Sequence, residues 1–383
     1  MSTVAFVKPL KPMKKIAICA SASGILAAPL FAASSLVPMA TFGGGDGWRA
    51  PNEILAGDTA GTATGASYNY LGTGSLERGF AYNPTTRNLI AVSRSAAGNG
   101  IRILNGTTGV DVGALAQGSG IIAGGTFTTN MAAAAADGSI YVANLQTAAG
   151  GSPFNIYRWA NESATPSVFF TAAVPGTVRL GDTLDVTGSG AGTTLAAGAN
   201  GSVGYAIITS TGATAVTTWG AGVANGDFRL GITFGASALD VLGKETSDTL
   251  KVSTYSAVNG TLSQAVALTS LGEMAIDHIT IMGNPYLATL DANSSTVRVY
   301  DFLNPTAPVL LNSMTTTSGA LTANGNGVGQ VRWGTVTGDS ATLYAMATNQ
   351  GLQALVFQVP EPASLSFLAC GALFTLSRRS RKA

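Results

Sequence analysis

Cysteine and histidine are almost absent from this chain of 383 residues. The two cysteines, Cys19 and Cys370, lie in the terminal segments, so the long stretch between them has none. That excludes a disulfide framework and leaves a hydrophobic core as the source of stability. A single histidine, His278, excludes any metal site built on a pair or triad of imidazoles. Charge is sparse, at 10% of residues, and between residues 41 and 359 lysine occurs only at Lys244 and Lys251. In that stretch 12 basic residues stand against 18 acidic ones, a net charge of about −6 with His278 neutral. Such a body has no basic face, so nucleic acid is not an expected partner. Also missing are a Gly-x-Ser-x-Gly elbow, a Gly-x-x-x-x-Gly-Lys phosphate loop and a Gly-x-Gly-x-x-Gly turn ahead of a helix. No cofactor, metal ligand or catalytic residue is assigned from the sequence.

Glycine is what the chain has in quantity, 49 residues, with 14 prolines. Their short spacing between apolar runs suits many hairpins, and few stretches carry helical 3.6-residue spacing. One unit reads as three strands with turns between them: Phe80 to Tyr82, Leu89 to Ser93 and Ile101 to Leu104, separated by Asn83-Pro84 and closed by Asn105-Gly106. The same order returns from Ala132 to Trp159, from Ala275 to Asp301 and from Val331 to Gln358, with two less regular copies starting near Arg179 and Arg229. With Gly79, Met131, Gly181, Leu230, Ala275 and Val331 as anchors, the intervals are 52, 50, 49, 45 and 56 residues. Periods near 40 to 50 residues with several short strands each predict an all-β fold, a β-propeller of about six blades over residues 45–359. The order within a unit resembles WD40-like and NHL-like propellers in architecture, without their Trp-Asp dipeptides. Tandem β-sandwiches or a β-solenoid are the rival folds. The periods are long for solenoid coils, and no linker divides the body. The alanine runs at 132–136 and 195–199 read as tight inner strands near a crowded axis.

Both ends have a different character. Lys8, Lys11, Lys14 and Lys15 precede an apolar stretch from Ile16 to about Ala33, followed by small residues, which is the order of a secretory signal peptide within residues 1–40. At the other end Pro360-Glu361-Pro362 leads into an uncharged run from Ala363 to Leu376 and a basic cluster at Arg378, Arg379, Arg381 and Lys382. The prolines keep the triplet extended and accessible. The run would reach roughly 22 Å as a helix, short of a ~30 Å hydrocarbon core, a deficit that snorkelling basic side chains reduce. The cluster predicts a cytoplasmic C-terminus.

The three parts in this order over residues 360–383 resemble the PEP-CTERM sorting tail of Gram-negative bacteria that make exopolysaccharide. The resemblance implies export through the inner membrane and a transient membrane anchor through a short C-terminal transmembrane helix. It also implies cleavage near Pro360-Glu361-Pro362 by an exosortase-type membrane enzyme, leaving the body at the cell surface or in the extracellular matrix. It implies nothing about the body's activity.

Within the body the candidates for chemistry are few. His278 lies in an apolar strand and reads as a structural residue. Asp182 with Asp185, and Glu245 with Asp248, are paired acids that read as turn and surface residues. Arg78, Arg179, Arg229, Arg298 and Arg332 recur near blade strands; they either line one face and bind an anionic sugar or keep strand edges soluble. The functional expectation is a non-catalytic binding or structural propeller, with extracellular polysaccharide as a candidate partner. The alternative is a propeller-fold polysaccharide lyase or hydrolase.

Overall fold

The computed structural model describes residues 33–59, 70–94, 100–123, 127–147, 153–216, 218–219, 224–245, 249–255, 261–325 and 328–359. The chain enters with β1 (Ser35–Pro38) and β2 (Trp48–Arg49) and builds blade 1 from β3 (Glu77–Tyr82), β4 (Asn88–Ser93), β5 (Ile101–Asn105) and β6 (Asp111–Ala114). Blade 2 is β7 (Phe127–Ala134), β8 (Ile140–Leu145), β9 (Phe154–Trp159) and β10 (Ser167–Ala172). Blade 3 is β11 (Thr177–Thr187), β12 (Thr194–Gly201), β13 (Tyr205–Thr209) and β14 (Gly212–Val216). In blade 4 a short β15 (Thr218–Trp219) lies parallel to the outer strand β19 (Thr261–Val266). Inside it follow β16 (Gly231–Phe234), β17 (Asp240–Lys244) and β18 (Leu250–Thr254). Blade 5 is β20 (Glu273–Ile281), β21 (Asn284–Asp291), β22 (Thr296–Asp301) and β23 (Val309–Thr315). Blade 6 has β24 (Gly329–Thr337), β25 (Ser340–Ala347) and β26 (Leu352–Gln358), and takes its fourth strand from the other end of the chain, where β1 pairs antiparallel with β26.

The inner strands β3, β7, β11, β16, β20 and β24 contact one another in that order, and β24 returns to β3. The fold is a closed six-bladed β-propeller, and no α-helix occurs among the described residues. None of them forms a helix long and apolar enough to cross a membrane.

Why these sequences make blades is visible in the core. Six apolar clusters fill the ring, one between each pair of neighbouring blades. Middle strands are buried on both faces, so they read as near-continuous apolar runs. In β8, Ile140 and Val142 pack toward blade 1 while Tyr141 and Ala143 pack toward blade 3, the period of two expected of a strand. Fully buried Trp159 and Tyr157 fill the layer between blades 1 and 2.

The junction of blades 6 and 1 is also held by residues 39–59. Met39 N donates to Ala354 O in blade 6 at 2.9 Å, and Gly43 N to Thr108 O in blade 1 at 3.1 Å. Arg49 and Asp58 form a fully buried ion pair at 2.8 Å, and Asp58 also accepts the backbone N–H groups of Leu55 and Asp111. A buried pair of this kind tolerates burial only because its remaining lone pairs are satisfied.

The sequence anchors fall where expected. Gly79, Met131, Gly181, Ala275 and Val331 lie in inner strands, and Leu230 immediately precedes β16. Three expectations need correction. The propeller starts before residue 45, since β1 supplies the closing strand; its short Ser-Leu-Val-Pro sequence has no pattern of its own and is fixed by pairing with β26. Residues 195–199 lie in the second strand of blade 3, not the innermost, which is β11; the crowding that keeps Gly198 small comes from the neighbouring blade, where Phe228 O would lie 2.1 Å from an added Cβ. Each unit has four strands rather than three: the outer strands are largely exposed, as in β10, and carry no sustained apolar run. The expected signal peptide lies outside the described residues up to residue 32, and the sorting tail, with Pro360, Glu361, Pro362, Arg378, Arg379, Arg381 and Lys382, lies outside them entirely.

Strand direction sets the two faces of the ring. Inner strands begin at one end of the axis, where Gly329 pairs with Ala347, and run to the other, where Thr337 pairs with Ser340. Ser35 and Gln358 are partners at that second end, so the chain enters and leaves the propeller side by side there.

Candidate functional site

At the end where the inner strands begin, the central channel opens into a cavity of about 240 Å³. It is lined by Arg78, Arg94, Asn130, Met131, Arg179, Asp182, Arg229, Leu230, Val328 and Gly329. Four guanidinium groups thus meet in one small space inside a body of net negative charge.

Local backbone irregularity puts them there. The register of β3 against β4 shifts between Glu77 and Gly79, and that of β11 against β12 shifts between Thr177 and Arg179. A bulge adds a residue that the ladder does not pair and re-aims the chain around it; in β3 that residue is Arg78 itself, and in β11 it is Val178, directly before Arg179, which pairs with Asn200. Arg229 sits in the turn before β16, and Arg94 directly follows β4.

The four arginines are not equivalent. Arg179 donates through Nε and Nη2 to the two carboxylate oxygens of Asp182, the second bond at 2.7 Å. Arg229 donates to Glu245 at 3.1 and 2.8 Å, and this hydrogen-bonded pairing raises its pKa. Among the described residues, Arg78 and Arg94 have no carboxylate hydrogen-bonded to them. Arg78 is buried, donates from Nη2 to Ser75 O at 2.7 Å, and has a buried Nε with no hydrogen-bond partner. Arg94 donates from Nε to Asn130 Oδ1 at 2.8 Å and lies over the Phe127 ring at 3.9 Å. Asn130 in turn donates to Gly181 O at 2.6 Å, which fixes the amide that holds Arg94. Burial, then the neighbouring charges of Arg78 and Arg179, pulls the Arg94 guanidinium down to about 9, with Asp182 opposing. Burial also lowers Arg78. The site is short of negative charge, and a bound anion would relieve both groups.

Next to the cavity lies a second, much smaller space of about 10 Å³, lined by Met131, Leu184, Leu230, Ile232, Ile276 and Gln330 among others. Arg332 crosses the channel. It pairs with Asp277 of blade 5 at 3.2 Å and Asp185 of blade 3 at 3.3 Å, and donates to Leu184 O. Asp277 also accepts Trp333 N at 2.6 Å and Thr233 Oγ1 at 3.2 Å, while Asp185 accepts Phe234 N at 2.8 Å. Four blades are tied together at this level. Burial raises the Asp277 carboxyl to about 6; Arg332 opposes the rise and Asp185 adds to it.

The residues singled out in the sequence thus divide. Arg78, Arg179 and Arg229 come together at the cavity. Arg332 belongs to the buried cluster beneath, and Arg298 pairs with buried Glu273 at 3.3 Å. Asp182 and Asp185 were expected in turns on the surface; both instead sit in β11 on the channel, one against Arg179 and one against Arg332. Glu245 holds Arg229, and Asp248 lies outside the described residues. His278 is half-buried, packs edge-on to Phe302 with ring centroids 6.1 Å apart, and is lowered in pKa by burial. Sequence reasoning missed Arg94 and Asn130. Arg94 closes the second strand of blade 1, and Asn130 takes the position before anchor Met131 that Arg78 takes before Gly79. Among the described residues no group of three or more His, Cys, Asp or Glu is arranged to hold a metal ion.

Comparison with known proteins agrees with the fold. Residues 56–218 match the family model described as a domain of unknown function (DUF4623), a stretch that covers blades 1 to 3 and stops halfway round the ring. No curated protein matches the sequence. The crystal structure of a DUF4623 family protein from Bacteroides eggerthii is similar with a TM-score of 0.59 at 17% identity, over 76% of this chain and 72% of that one. A gluconolactonase from Xanthomonas campestris aligns at 12% identity over 74% of this chain and 86% of its own, with a TM-score of 0.47. The major Malassezia sympodialis allergen Mala s 1 aligns at 12% identity over 74% and 92%, with a TM-score of 0.45. At 17% identity the likeness to the Bacteroides eggerthii protein is one of fold alone.

Proposed function

We propose that this chain is an exported protein whose propeller binds a partner at the arginine-lined mouth without converting it. On this reading its Pro360-Glu361-Pro362 tail makes it a substrate of an exosortase-type membrane enzyme, and the body ends at the cell surface or in the extracellular matrix. The observation that supports binding is the pair of guanidinium groups, Arg78 and Arg94, held in a cavity where no carboxylate among the described residues is hydrogen-bonded to either. Charge-assisted bonds to an anion are the strongest interactions such a lining offers. What speaks against acid–base chemistry is the rest of the lining. Its one acid, Asp182, is tied to Arg179 through both oxygens, and no histidine, tyrosine or lysine lines the cavity among the described residues.

Two measurements test the two halves. Full-length protein incubated with acidic polysaccharide from the producing cells should co-sediment with it and release no new reducing ends or unsaturated products. Turnover abolished by replacing Asp182 would make it an enzyme instead. For sorting, Glu361→Ala or loss of the last six residues should leave an unprocessed chain by mass spectrometry. A wild-type chain still ending at Ala383 in cells with an exosortase would end that half of the proposal.

A further inference from the structure

Resting on the binding reading, we infer that the cavity takes one sugar-acid ring, a hydroxylated ring bearing a single carboxylate, either free or as the end of a chain.

Size sets the first limit. Ligand sites for drug-sized molecules occupy about 300–1,000 Å³, and this cavity holds about 240 Å³, which suits one ring rather than several. The channel cannot be threaded, because Arg332 crosses it between Asp185 and Asp277. A polymer can therefore present only an end to it.

The chemistry of the lining sets the second limit. Arg78 and Arg94 bring two guanidinium groups with no carboxylate among the described residues bonded to them, and Arg78 Nε is a buried donor without an acceptor. A planar carboxylate matches that fork geometry. Asp182 keeps lone pairs beyond those used by Arg179, and a carboxylate of this kind accepts from hydroxyl groups, which an inorganic anion lacks. Met131, Leu230 and Val328 supply an apolar wall for the C–H face of a ring. Donors for a carboxylate, an acceptor for hydroxyls and an apolar wall together describe a sugar acid better than phosphate or sulfate.

The test is calorimetric titration of the full-length protein with glucuronate, galacturonate, glucose, inorganic phosphate and sulfate, and with oligogalacturonates of increasing length. A uronate should bind one to one, and glucose should not bind. Affinity per oligomer should not rise with length if ends are recognised; binding confined to the monomer would assign the free sugar acid as the source. Arg94→Gln, at a half-buried position, should weaken uronate about 10- to 100-fold with an unchanged melting temperature. Arg94→Lys should recover only part of the loss, and it replaces Arg94→Gln if that variant fails to fold. Phosphate or sulfate binding as tightly as uronate, with both lost in the Arg94 variant, would overturn the sugar-acid assignment and leave the anion mouth standing. Affinity that grows with oligomer length would overturn end recognition. Failure of every anion to bind would remove the binding reading as well.

Discussion

Gly231→Ala is the sharpest probe of how closely the blades meet at the axis. A Cβ at Gly231 would sit 2.0 Å from Met274 O in the neighbouring blade, and 3.0 and 3.2 Å from Lys244 Cβ and Ile276 Cγ1. Real Cβ atoms do not come within 3.0 Å of such an atom, so inner strands β16 and β20 would have to part by about 1 Å. The obstructing atom is backbone, which has no rotamer to change, and both strands are locked by ladders to the rest of their blades. Overpacking of this kind costs about 1–3 kcal/mol. For a ring of about 320 residues the unfolding entropy converts that to a fall in melting temperature of roughly 2 to 4 °C. Differential scanning calorimetry against Gly192→Ala is the assay, since a Cβ at Gly192 would meet nothing within 4 Å and that variant should change little. Equal melting temperatures for the two variants would refute the close approach of blades 4 and 5.

Two further perturbations address the buried cluster and the ring closure. Asp277 has a folded pKa above its unfolded value, so its contribution to stability is fully present below about pH 4 and is lost as pH rises through about 6. Asp277→Asn should remove that part of the pH dependence, so in urea unfolding from pH 4 to 7 the wild type should lose stability relative to the variant as pH rises. A parallel offset at every pH would contradict it. A propeller lacking residues 33–38 loses the pairing of β1 with β26 and the bond from Asn312 Nδ2 to Ser34 O, and should unfold at lower denaturant than residues 33–359. Coincident urea midpoints would show that β1 does not help close the ring.

Much of the ring was readable from residue order, because blade strands buried on two faces must be apolar along their length. Ile140 to Ala143 and Tyr286 to Leu290 announce themselves for that reason. Outer strand β6 is only four residues long, and β10, though as long as its inner neighbours, is largely exposed and so need not be apolar. The closing strand β1 is legible only through its distant partner, since nothing within Ser35–Pro38 names β26. The site divides in the same way. Recurrent arginines before the inner strands were visible, yet which of them share a space depends on strand bulges that shift register by one residue. Asp185 looked like a solvated turn residue because its partner, Arg332, is identified only once the ring is closed, whereas Asp182 pairs locally with Arg179 three residues before it.

The placement of Ser35 beside Gln358 gives the ring a polarity along its axis. Both connections leave from the end of the axis opposite the arginines. None of the residues that line the cavity belongs to β1 or β26, so a substitution at Ser35 or Gln358 leaves the lining unchanged. On the proposed reading, binding at the arginine-lined mouth should therefore be insensitive to changes at that opposite end.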